Sequence, residues 1–261
     1  MTHASDDQPR DTGRRFSHRP ARPHEFKLEA SPTLAGVPAP VVALHGLTHI
    51  GTLNQEYKKD WSYEGQGLSV SMDPDAWEQI AELGGNPRWS VGVDNPQFLD
   101  FHELTAEQKD AINDWGVERG YVIPVTATRI YTWDSEDESW RYYLTTDESD
   151  VEFERDEAEA MEYEVREGRP MDGEDEDGFV YLDSEATFAT TDVFPDPTVR
   201  RGSLGEDQIL ATLWVQETTD FDGVWWEDDY DPERLSAPRG VIVPRAIQKW
   251  VASAVEADQD S

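Results

Sequence analysis

Two histidines bracket a short glycine-bearing stretch, Leu44-His45-Gly46-Leu47-Thr48-His49-Ile50-Gly51-Thr52, immediately after the apolar run Val41-Val42-Ala43-Leu44. An imidazole at a strand end can exchange a hydrogen bond with a ligand, and glycines let that ligand approach the backbone. The same residues also suit a plain glycine turn with satisfied histidines. A second segment, Glu64-Gly-Gln-Gly-Leu-Ser-Val-Ser71, sets Ser69 and Ser71 two apart, so an extended strand points both hydroxyls to one face. They either line a cleft or form the wet side of an ordinary strand. The segment lacks the Lys-Ser/Thr ending of a phosphate-binding glycine loop. A third segment, Phe221-Asp-Gly-Val-Trp-Trp-Glu-Asp-Asp229, places Glu227 beside Trp225 and Trp226. An aromatic wall raises a carboxyl pKa and offers a stacking surface. Because the chain carries 56 Asp and Glu, a single carboxylate is weak evidence, and the scarce residues His45, His49, Trp225 and Trp226 weigh more.

Taken in order, these segments resemble the motifs of ADP-ribosyltransferase-like domains of the toxin and phage kind. The carriers are the His-Gly element, the Gly-Leu-Ser-Val-Ser71 strand running into Asp73-Pro-Asp-Ala-Trp77, the Phe221-Asp-Gly-Val224 segment and the late Gly240-Val-Ile-Val-Pro-Arg-Ala-Ile247 stretch. They cover about a third of the chain, at its two ends, in numbering that leaves 94–205 unmatched. The resemblance implies a fold of two small packed sheets with NAD as cofactor in a cleft between them. It implies that His49 or His45 contacts the adenine-side ribose or the nicotinamide, with Thr52 nearby. Ser69 and Ser71 then sit beside the nicotinamide ribose, Trp225 stacks, and a catalytic carboxylate hydrogen-bonds the ribose 2′-hydroxyl. Such a carboxylate stabilises oxocarbenium-like charge as the nicotinamide bond breaks. Where the family places its glutamate this chain reads Ser236-Ala-Pro-Arg239, and Glu227 is the nearest Trp-flanked candidate. Either Glu227 takes that role or the domain binds without catalysing. The alternative reading is a non-enzymatic viral or host accessory or structural binding protein. A third treats the acids of 147–177 as a phosphate mimic in a nucleic-acid-binding site.

The elements that must position these residues are read from pattern. Short apolar strands are expected at 41–44, 67–71, 89–93, 179–182, 209–215, 224–226 and 241–243, and a hairpin at 121–133 with 140–144. Asp73-Pro74 opens a helix through Trp77 and Ile80, and Thr105-Ala-Glu-Gln108 is a capping box for a second, ending near Gly120. A third helix is expected over 157–166 with Ala158, Met161 and Val165 inward, and 172–177 as a solvated loop. A fourth opens at Pro244 with Ile247, Trp250, Val251 and Val255 inward. Strands and helices intermix without strict alternation, so the expected fold class is α+β, a single domain of small packed sheets with flanking helices. The expected boundaries are a disordered tail over 1–40, the domain over 41–255 with an acidic insertion at about 134–205, and a short tail over 256–261.

Composition bounds the rest. The formal charge is −34, with 22 Lys and Arg. Self-repulsion of that size is relieved when salt shortens the Debye length to about 3 Å at 1 M. The expected setting is therefore the cytoplasm of a salt-accumulating archaeon, or a virus of one. The absence of Cys excludes disulfides, thiolate zinc sites and thiol nucleophiles. No apolar run is long enough to cross a membrane. The expected partner is a macromolecular acceptor of unknown identity, and the only segment suited to nucleic acid is the basic stretch 10–27.

Overall fold

Asp73 and Thr105 begin two helices as their sequence patterns require. The Asp73 carboxylate accepts the Ala76 N–H, with Pro74 in the first turn. Thr105 and Gln108 exchange side-chain bonds in a reciprocal capping box, and Gly120 closes that helix at φ 73°. The computed structural model describes residues 32–53, 65–135, 138–171, 178–195, 199–204, 207–228 and 236–257. In chain order the elements are β1 (Thr33–Leu34), β2 (Val37–Pro38), β3 (Val41–Val42), β4 (Leu47–Ile50), β5 (Leu68–Ser71), α1 (Pro74–Ile80), β6 (Arg88–Val91), β7 (Phe98–Asp100), α2 (Ala106–Arg119), β8 (Val122–Asp134), β9 (Ser139–Thr145), α3 (Glu148–Ala160), β10 (Glu164–Glu167), β11 (Phe179–Thr190), α4 (Asp207–Thr218), β12 (Gly223–Trp226), β13 (Arg239–Ile242), α5 (Pro244–Val251) and β14 (Val255–Glu256).

The fold is α+β, and among the described residues the strands fall into three sheets. The main sheet has the order β14-β6-β4-β5-β13-β12-β7-β3, antiparallel except for the β7–β12 pair. A second sheet has the order β10-β11-β8-β9, with β10 parallel to β11 and the rest antiparallel. β1 and β2 form a small ribbon. The main core packs Leu68, Phe98, Leu99, Val224, Trp225, Trp226, Val241 and Ile242 of the main sheet with Leu210 and Val215 of α4 and Ile247 and Trp250 of α5. Burial of such side chains contributes about 1.5–3 kcal/mol each before entropy is counted. Gly240 is a packing requirement: a Cβ there would lie 2.7 Å from the Trp225 ring. A second core forms where α3 covers one face of the smaller sheet, burying Ile130, Ala158, Val180 and Leu182.

Several expectations change. The run 209–215, read as a strand, is the interior of α4. The helix expected over 157–166 lies earlier, as α3, and Val165 belongs to β10. Met161 is the C-cap and exposed, and Val255 lies on the exposed strand β14 rather than on an inner helical stripe. The strand expected at 179–182 continues for 12 residues as β11. β1, β2, β4, β7, β10 and β14 were not expected from pattern. The span 134–205, expected as an acidic insertion, supplies three of the four strands of the second sheet, which is built on β8. Structure also starts before Val41, since Leu34 and Ala39 are buried. Residues 1–31 of the tail expected over 1–40, the loop 172–177 and residues 258–261 lie outside the described residues.

Candidate functional site

The register of the main sheet places the expected site residues. Thr48 pairs with Ser71, Ser71 with Arg239, and Arg239 with Trp226; Ser69 pairs with Val241, and Val241 with Val224. Paired residues share a face and neighbours alternate. Ser69 and Ser71 therefore lie on one face, together with Thr48, Arg239 and Trp226. His49 and Trp225 fall on the other, where Trp225 is paired with Gly240 and Gly240 with Val70. The two serines, expected beside the nicotinamide ribose, and His49, expected at the adenine-side ribose or the nicotinamide, lie on opposite faces of the sheet.

Their bonds are those of structural groups. The His49 ring, 6% exposed, donates from Nδ1 to the Ser69 carbonyl at 2.8 Å. This stitches β4 to β5, where the ladder has the pair Thr48–Ser71. The Ser71 hydroxyl is fully buried; it donates to the Pro238 carbonyl at 2.6 Å and accepts the Asp73 N–H at 3.0 Å. Trp225 is core, and its indole N–H donates to the exposed Glu227 carboxylate at 2.5 Å. His45 and Thr52 are exposed on the loops flanking β4. An open groove of 740 Å³ is lined by Gly46, Ser90, Gly92, Asp94, Lys249 and Ser253, among others, and by none of the expected site residues. Asp222 is also structural: its buried carboxylate accepts the Gln97 N–H at 3.0 Å and pairs with Lys249 at 3.1 Å.

A cluster that sequence reasoning missed lies at the ends of the parallel pair β7–β12. Asp228 Oδ1 meets His102 Nε2 at 3.0 Å, and its Oδ2 accepts from Arg239 at 2.6 Å. His102 is half-exposed, while Asp228 and Arg239 are mostly covered. The Phe101 ring packs against Trp226 at 5.8 Å and carries the Lys109 ammonium 4.9 Å from its centroid. A carboxylate fixing an imidazole is suited to proton transfer, but among the described residues no serine or threonine hydroxyl is hydrogen-bonded to His102, and no metal-binding cluster is present. Its contributors are distant in sequence, and the available signal was the scarcity of histidine itself.

The second sheet presents the more unusual face, covered in part: Tyr131 and Tyr181 are buried, whereas Tyr142 is 58% exposed. Helix α3 covers the face carrying Ile130, Val180 and Leu182. The opposite face takes Phe179 and Tyr181 from β11, Tyr131 and Trp133 from β8, Trp140 and Tyr142 from β9, and Arg166 from β10, all in register. The rings interlock. Trp133 meets Trp140 at 5.4 Å, Trp140 meets Tyr181 edge-on at 5.2 Å, and Tyr131 meets Tyr142 at 5.6 Å. Arginines lie across them: Arg166 is 3.5 Å from the Phe179 centroid and Arg129 is 4.7 Å from that of Tyr142. Each guanidinium also has a carboxylate. Arg129 pairs with Glu185, Arg169 with Asp183 and Glu185, and Arg166 with Glu164. The Tyr181 hydroxyl, and after it Glu164, raise the Arg166 pKa further, so its charge is fixed. The result is a charge-balanced aromatic–arginine layer on a molecule whose net charge is −34. Comparison of this chain with protein-family models, with curated proteins and with solved structures finds no match.

Proposed function

We propose that this chain is a non-enzymatic binding protein that docks another protein on the aromatic–arginine face of its second sheet. The observation that carries the reading is the composition of that face: Trp, Tyr, Phe and Arg, with every arginine neutralised locally. Protein interfaces are enriched in aromatic residues and Arg, and a few such residues supply most of the binding energy. The partner's matching chemistry is an apolar or aromatic patch with hydrogen-bond acceptors for the guanidinium groups. The acceptor-modifying reading, an NAD-dependent ADP-ribosyltransferase, draws less support from the geometry: Ser71 has its hydroxyl committed, Trp225 is core, and the serines and His49 lie on opposite faces.

Two measurements test the proposal. NAD at millimolar concentration should leave the melting temperature unchanged in molar KCl, because only a ligand that binds the native state raises it. A rise would favour the transferase instead, and loss of turnover in Glu227→Gln would assign the carboxylate. In parallel, a partner captured by the intact protein should be lost with Phe179→Ser combined with Arg166→Glu. It should be retained with Phe153→Ser, an exposed position on α3. Truncation of interface hot spots costs about 2 kcal/mol or more, so the expected loss exceeds tenfold. Equal capture by both variants would contradict the reading.

A further inference from the structure

Strand β9 ends the second sheet, and among the described residues no strand pairs with its outer side. Free edges are normally blunted, by brevity, by charge or by proline, because unpaired N–H and C=O groups recruit another strand. The other sheet ends follow that rule. β3 and β14 are two residues long, and β10 has four residues of which two are glutamate. β9 does not. It runs seven residues, Ser-Trp-Arg-Tyr-Tyr-Leu-Thr, with no proline, no glycine and no carboxylate. The acid-free stretch extends from Ser139 to Thr146 in a chain with 56 acids. Nor is this the acid depletion of a core strand, since Tyr142 is 58% exposed and Tyr143 is 41% exposed. The carboxylates that touch this strand come from neighbouring elements and are engaged by its side chains, Asp134 by Arg141, Glu154 by Tyr143 and Asp150 by Thr145, so the edge itself is where two copies of so acidic a chain can meet with no acid of the strand facing another.

We infer that β9 pairs with β9 of a second copy of this chain, antiparallel and about a two-fold axis through Tyr142. Symmetry and the pleat restrict the register. A two-fold normal to the sheet matches like faces, so residue i must oppose a residue of the same parity. The register centred on Tyr142 is the one that pairs the whole strand. It sets Ser139 against Thr145 of the second copy, Trp140 against Leu144, Arg141 against Tyr143, and Tyr142 against itself. Those are aromatic–aliphatic, cation–aromatic and aromatic–aromatic pairs, each of a kind that stabilises cross-strand contacts. No Arg141 faces Arg141, and no acid enters the ladder. Two four-stranded sheets then join into one, with the aromatic–arginine faces on the same side. The inference does not rest on the proposed function: Trp140 and Tyr142 belong to both surfaces, so docking is read from the variants at Phe179 and Arg166 and pairing from those at Tyr142.

The test uses the full chain in molar KCl, where repulsion between copies is screened. The intact protein should show by light scattering a mass twice the 29.7 kDa of one chain, and the dimer should weaken as salt is lowered. Tyr142→Asp, which sets two carboxylates face to face on the axis, should give the monomer with an unchanged circular dichroism spectrum. The chain has no cysteine of its own, so Tyr142→Cys supplies a second readout. Directly opposed residues in an antiparallel pair have Cα atoms about 4.5–5.5 Å apart, within disulfide reach. Mild oxidation should therefore cross-link Tyr142→Cys several-fold more than Phe153→Cys. A monomeric intact protein overturns the inference, as does a dimer that survives Tyr142→Asp or cross-links equally from both positions. Failure of the NAD and capture experiments would leave these results unaffected, and the reverse also holds.

Discussion

The Ser71 hydroxyl donates to Pro238 and accepts from Asp73, so it ties β5 both to the entry of β13 and to the cap of α1. Burial makes those bonds costly to remove: an unsatisfied buried group costs about 1–3 kcal/mol. Ser71→Ala should lower unfolding free energy by that amount in chemical denaturation while leaving partner capture unchanged in the folded protein. An unchanged stability would reopen the hydroxyl for a ligand role. The sequence made Ser69 and Ser71 visible as a pair on one face, and the strand does place them so. It could not show that His49 points away from them, because facing depends on the β4–β5 register rather than on either segment alone. His102 was illegible for a related reason. Its value comes from Asp228, which the parallel pairing of β7 with β12 brings near, and from Arg239, which β13 sets beside β12.

At the scale of elements, α1, α2 and α5 were legible from their opening residues, whereas α3, though capped by Asp147, was expected too late and the buried α4 was read as a strand. Asp73-Pro74 and the Thr105–Gln108 box are local signals, and both helices start there. The run Ile209-Leu-Ala-Thr-Leu-Trp-Val215 reads as a strand because it is apolar throughout. In α4 it is buried nearly all round, and periodicity cannot separate those two cases. Arg245 finishes that helix from a different element. Its guanidinium donates to the carbonyls of Val215, Thr219 and Phe221 at 3.1, 2.7 and 2.6 Å, the last two just past the helix, so it ties the end of α4 and the turn after it to α5. Burial lowers its pKa, although Asp220 and Asp222 act in the opposite direction. Arg245→Ala should cost about 1–2 kcal/mol, a drop in melting temperature of roughly 2–8 °C by calorimetry. A change below one degree would show that water replaces the cap. The long strands β8 and β11 were only half legible: the hairpin was plain in the runs 121–133 and 140–144, whereas the pairing of β11 along nearly all of β8 is non-local.

For the molecule as a whole, the acidity is a setting and the exceptions to it are the signal. Carboxylates cover the exposed surface, so the places that lack them or balance them stand out: the β9 edge and the aromatic–arginine face of the sheet that ends in it. On the reading of the charge as adaptation to salt, low ionic strength should loosen both the fold and any self-association, since screening falls as the Debye length grows from about 3 Å at 1 M to about 10 Å at 0.1 M. Docking on that face is the central claim. Its most direct test is a photo-reactive phenylalanine analogue placed at Phe179, on the face, or at Phe153, on the helix side, in the partner-bound protein. The account predicts cross-links to the partner from position 179 and none from 153. Cross-links from 153 alone, or none from 179 in an intact complex, would contradict it.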